Sequence, residues 1–66
     1  MSIENAFYTD KDVARRLNMS DSWVRGQRHK RKHGLPHHID VEPRYIGSSA
    51  RWVRDEIEAF VAKLAS

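Results

Sequence analysis

Sixty-six residues make one small domain with a marginal core, and the absence of cysteine rules out both a disulfide and a thiolate zinc site to reinforce it. The opening MSIENAFYTD lacks a basic stretch and an apolar run, which argues against a secretory signal, and no apolar run approaches a membrane span, so a cytoplasmic chain with no membrane partner is expected. The net charge is only +3, but residues 22–39 carry Arg25, Arg28, Lys30, Arg31, Lys32 and all four histidines without one acid, and residues 43–54 carry Arg44, Arg51 and Arg54, again without one.

Two basic segments separated by Asp40 and Glu42 suggest one basic face, the electrostatic footprint of nucleic-acid binding. An ordinary solvated surface would look similar on charge alone. Residues 1–6 read as a flexible lead-in and residues 7–64 as the domain.

The first helix is announced at Thr9, which with Asp12 has the spacing of a reciprocal capping box. Tyr8 before the cap and Val13 after it form the matching hydrophobic staple. Asp10 and Asp12 suit the positive helix N-terminus, and Val13, Ala14 and Leu17 supply one apolar face, so the helix should span about residues 10–17. Asn18-Met19-Ser20 is a tight turn with Ser20 as the second N-cap, and Met19 with Val24 repeats the staple. Two short helices joined in this way make a helix-turn-helix arrangement.

Beyond Trp23 and Val24 the second helix becomes polar almost all round, and Gly26 costs about 1 kcal/mol relative to Ala in its interior. Such a helix needs something to bind its outer face. Gly34 caps it and Pro36 stops any continuation. HHIDVEP, residues 37–43, reads as a loop or ragged strand. Arg44-Tyr45-Ile46, a Gly47-Ser48-Ser49-Ala50 turn and Arg51-Trp52-Val53 then read as a hairpin, with Ile46 and Trp52 as its inward anchors. Ile57, Phe60, Val61 and Leu64 fall at helical spacing and predict a closing helix over about 54–64 with one buried stripe.

DKDVARRLNMSDSWVR resembles the opening of the MerR-like winged-helix domains of AlpA-type regulators and phage or mobile-element excisionases. GLP followed by PRYIGSSARWVRDEIEAF resembles their wing and closing helix. The resemblance spans about residues 7–64 and implies an α+β, mostly α, winged helix-turn-helix: a helix pair, a two-stranded wing and a C-terminal helix. It further implies binding of double-stranded DNA, with the second helix in the major groove and the wing on a neighbouring backbone or minor groove. Small members commonly act as recombination directionality factors, which bend DNA near an attachment site and turn a tyrosine or serine integrase toward excision. Cooperative self-association on DNA is part of the same expectation, and an AlpA-like transcriptional regulator is the alternative. A chain with little beyond the DNA-binding domain favours the architectural role. Two departures stand out: Gln27 occupies a position the family usually makes apolar, and HHIDVEP lengthens the path into the wing.

On this reading Ser20, Asp21, Ser22, Arg25, Gln27 and Arg28 are the candidates near base edges, because the start of a recognition helix faces them. Arg can pair bidentately with guanine, although phosphate contact or plain solvation is the competing role for each Arg, and Asp21 is as well explained as a helix-dipole partner. Lys30, Arg31 and Lys32 read as phosphate neutralisers, and Arg44, Ser48, Ser49 and Arg51 as wing contacts. Six or so such contacts would weaken binding about a thousandfold between 50 and 200 mM salt. Trp23 and Trp52 could stack on bases, but aromatics in so small a domain mostly build the core.

His29 and His33 share a helix face, and His37 or His38 could add a third ligand after the Gly34 turn. Five cations in the same segment would repel a divalent ion, and no carboxylate precedes Asp40 to offset them, so no metal or other cofactor is expected. Extra donation to phosphate, stronger in acid as imidazoles charge, suits them better. An enzyme finds no support in a nucleophile, an acid–base pair or a phosphate loop. A protein-interaction domain would have to use the stripe of the closing helix or Tyr45 at an interface, and the core claims that stripe more simply.

Overall fold

Thr9 begins the first helix as its side chain requires: its hydroxyl accepts the Asp12 N–H at 3.1 Å, and the Asp12 carboxylate accepts the Thr9 N–H at 3.0 Å. The computed structural model, which describes residues 6–66, runs β1 (Phe7–Tyr8), α1 (Asp10–Leu17), α2 (Asp21–Lys32), β2 (Arg44–Ile46), β3 (Ser49–Val53) and α3 (Arg54–Ala65). It is a small α+β fold of winged-helix type. The lead-in expected over residues 1–6 lies, apart from Ala6, outside the described residues.

Both ends of the helix pair are set by local backbone chemistry. Asn18 takes a left-handed φ of 59°, which lets Met19 N–H reach Ala14 O at 2.7 Å and closes α1. Two residues on, the Ser20 hydroxyl accepts Trp23 N–H at 3.2 Å and α2 begins. At the far end Gly34, with φ 69°, allows Leu35 N–H to meet Lys30 O at 2.8 Å and Gly34 N–H to meet Arg31 O at 3.2 Å. That is the paired closure of a Schellman motif, with His33 as the last cap residue. Met19 remains 43% exposed, so the second staple contributes less than its spacing implies.

The sheet has three strands rather than the two expected. Phe7 and Tyr8 pair antiparallel with Val53 and Trp52, giving the order β1-β3-β2. The hairpin turn is also shorter than expected: Ile46 pairs with Ser49, so only Gly47 and Ser48 turn, and Ser49 and Ala50 belong to β3. A positive φ of 64° at Gly47, with none at Ser48, is the pattern of a type II′ turn, which matches the twist of the strands it joins.

Pairing also decides which side chains face inward. Cross-strand partners share a face and successive residues alternate. Tyr45, Ala50, Trp52 and Tyr8 therefore lie on the inner face, and Arg44, Ile46, Ser49, Arg51 and Val53 on the outer. Trp52 is buried as expected, but Ile46, expected beside it, is 57% exposed. The core is completed by Val13, Ala14, Val24 and Ile57 and, unforeseen, by Ile39 and Val41 of the loop after α2. Along α3 the buried stripe holds for Ile57 and, partly, Phe60 and Val61. It then runs past the sheet, leaving Leu64 exposed. No helix among the described residues is long and apolar enough to cross a membrane.

Candidate nucleic-acid interface

The sequence of α2 divides it into two faces. Val24 and Gln27 are buried against the rest of the fold, while Ser22, Arg25, His29 and Lys32, recurring at helical spacing, remain exposed. Between that exposed face and the hairpin lies a cleft of about 680 Å³. Its α2 wall is Arg25, Arg28, His29, Arg31 and Lys32, and its opposite wall is Glu42, Pro43 and Tyr45. Glu42 is the single acid among these lining residues, so the cleft is strongly cationic.

Within the cleft the arginines are not equivalent. Arg28 grips Asp10 with Nε at 3.0 and 3.1 Å and its terminal nitrogen at 2.6 Å, and the Trp52 indole N–H donates to the same carboxylate at 2.9 Å. Both ionic side chains are largely covered, at 21% and 17% exposed. The hydrogen bonds to Asp10 hold the Arg28 guanidinium above its ordinary range, against the opposing effect of burial, and the Tyr45 hydroxyl adds a smaller contribution. Arg28 was expected at base edges; its Nε and one terminal nitrogen are instead bound to Asp10 within the fold. Arg31 lies 3.1 Å from His37 Nε2 and 4.0 Å from Glu42. Arg25, Lys30 and Lys32 have no carboxylate within ion-pair distance among the described residues and present their charge to solvent. Lys30 sits off the cleft.

Gln27 is the clearest correction. It is 3% exposed, and its amide oxygen accepts the His38 backbone N–H, so it cannot touch DNA. The polar side chain fills a position the resemblance makes apolar because the loop brings an otherwise unpaired N–H against it. At the start of α2, Ser20 is consumed as the cap and lies 3.2 Å from the Ser22 hydroxyl, and Asp21 is half-buried in the first turn, where the helix dipole favours it.

The expected wing residues divide in the same way. Ser48 and Ser49 are exposed at the tip. Arg44 bonds Glu56 at 2.9 Å and the Glu42 carbonyl at 2.7 Å, and Arg51 bonds the Ala50 carbonyl at 2.8 Å. Both arginines are on the outer face of the sheet, away from the cleft. Tyr45, which the sequence suggests only as a protein-interface residue and not as a DNA contact, is the hairpin residue that lines it. The signal was present in strand parity: across any even-numbered turn, Tyr45 shares the face of Trp52 and Ile46 does not.

The histidines are accounted for individually. His29 and His33 rings are 4.4 Å apart and tilted by 50° on the exposed face of α2. His37 Nδ1 lies 3.0 Å from the Leu35 carbonyl, and its Nε2 lies 3.1 Å from the Arg31 guanidinium. His38 stacks on Trp23 at 6.3 Å and 17°. Both histidines pin the loop to α2. Among the described residues no three His, Asp or Glu side chains converge as a metal-binding group. Comparison with protein-family models, with curated proteins and with solved structures found no match.

Proposed function

We propose that this chain binds double-stranded DNA through α2 and the cleft beside it. The single observation that carries the reading is the row Arg25, His29 and Lys32 along the exposed face of α2. The row faces a hairpin wall and has no carboxylate partner within ion-pair distance among the described residues. A helix with cations on its open face, entered through a capped three-residue turn, has the shape and charge for a major groove. The more specific role, a recombination directionality factor that bends DNA and directs an integrase toward excision, rests on the resemblance to AlpA-type and excisionase domains.

Footprinting on DNA flanking the chain's own coding region tests the reading, with several evenly spaced protected sites expected. Because Arg28 and Arg44 are bound to acids and Arg31 is near one, only three or four cations remain for phosphates. Affinity should then fall about a hundredfold between 50 and 200 mM salt, not the thousandfold that six contacts would give. A salt-insensitive association, or no protection, sinks the DNA-binding reading. Unchanged excision of the host element on deletion, with a shifted promoter output, removes the excision role in favour of transcriptional regulation.

A further inference from the structure

The three glycines of the chain divide by what the fold asks of them. Gly34 and Gly47 hold positive φ of 69° and 64°, one at a helix end and one in a turn, where a side chain would be strained. Gly26 has no such φ; it stands inside α2, where glycine weakens a helix. Nor does packing within the fold ask for it, since a Cβ built on it meets no atom within 4 Å among the described residues. Ser22, His29 and Lys30, three and four positions away, are exposed, so Gly26 lies on the open side of α2, away from buried Val24 and Gln27. Arg25 and His29 of the cationic row stand beside it.

We propose that Gly26 is where α2 comes closest to DNA, its bare backbone lying against a base-pair edge in the major groove. An α-helix with its side chains is about 10–12 Å across, and the groove is about 12 Å wide and 8.5 Å deep. The fit is close, so the depth of entry is decided by the first atoms to touch the groove floor. At Gly26 those atoms are main chain. A side chain there would hold the helix off by at least one carbon–carbon bond and lift Arg25 away from its base. The proposal rests on the DNA-binding reading and deepens it: a residue with no side chain becomes a determinant of specificity, and a glycine that the fold alone leaves unexplained has a use.

Gly26→Ala and Gly26→Leu separate space from stiffness, because both restore helix propensity by similar amounts but differ in bulk. Binding of the wild-type chain and both variants is compared by fluorescence anisotropy on a labelled duplex carrying a footprinted site and on a mixed-sequence duplex of the same length. On the site duplex the Ala variant should bind about tenfold and the Leu variant about a hundredfold more weakly, the range over which base contacts discriminate. On mixed sequence, held by cations on phosphates alone, all three should agree within about twofold, with one salt slope because no cation is altered. Thermal melts should place both variants above wild type, so that weaker binding is not unfolding; if Leu melts lower, Gly26→Met takes its place as an equally good helix former. Site binding by both variants within about twofold of wild type overturns the close approach and leaves the DNA reading standing. Equal losses for Ala and Leu overturn it in favour of a helix that must bend. No protected site and no salt-dependent binding by the wild-type chain removes the DNA reading and this assignment with it.

Discussion

Gly26 interrupts α2 at a point where its freedom has no visible use. Its backbone φ is not positive, and a Cβ built there meets nothing within 4 Å. Replacing it by Ala should remove the penalty of an interior helical glycine and raise stability by about 0.5–1 kcal/mol. In a domain of this length that is a rise of several degrees in melting temperature, readable by circular dichroism. A lower melting temperature would mean that α2 needs the bend or the space. Gln27, its neighbour, shows why single residues were the hardest scale to read. A polar side chain on a polar helix is expected outside, and only the loop's unpaired His38 N–H draws it in. That partner lies eleven positions away, beyond the reach of any local pattern.

The elements were more legible where they announce themselves by caps and period. Thr9 with Asp12, Ser20 and Gly34 mark their termini by hydrogen bonds formed within a turn of chain, so α1 and α2 could be bounded from the sequence alone. β1 could not, because two residues have no period and Phe7-Tyr8 becomes a strand only when β3 arrives beside it. The hairpin turn is two residues shorter than the sequence suggests, because serines suit turns in general, whereas Gly47 alone supplies the positive φ that fixes this one.

Attachment of α3 to the helix pair carries a pH dependence. Glu58 accepts Arg16 Nε at 2.8 Å and its terminal nitrogen at 2.9 Å, and the Tyr8 hydroxyl at 2.8 Å, so one carboxylate joins α3 to α1 and β1. Arg16 first and Tyr8 second hold that carboxyl down from 4.5 to about 2. A carboxyl depressed on folding stabilises in full above its unfolded value and loses that contribution as pH falls from 4.5 toward 2. Tyr8 is raised by the same bond, so its share is present below its ordinary 10 and fades as pH climbs past it. Urea midpoints of wild type and Glu58→Gln should therefore differ near neutrality and converge in that acid window. Curves that stay parallel would show that Glu58 contributes nothing specific.

Across the whole molecule, which cations belong to the surface was not readable from charge runs. The runs were plain enough, but Asp10 stands eighteen positions before Arg28 and Glu56 twelve after Arg44, so the removal of those arginines from the open face is a tertiary event. The same holds for the core: Ile39 and Val41 looked like loop residues because their burial depends on the loop lying across α2. The path from α2 to the hairpin is thus part of the packed interior and not a slack connection.

Asp10 gathers donors from α2 and β3 while sitting at the head of α1, with the Trp52 bond spanning forty-two positions of chain. A contact that needs three elements docked is expected to form late, after the main barrier to folding. Its energy should therefore appear in how long the folded chain survives and hardly at all in how fast it is reached. Stopped-flow traces of Asp10→Asn should show faster unfolding and an unaltered refolding limb, and slowed refolding would place this junction in the nucleus. One carboxylate near the beginning of the chain would then act as a clock on its lifetime.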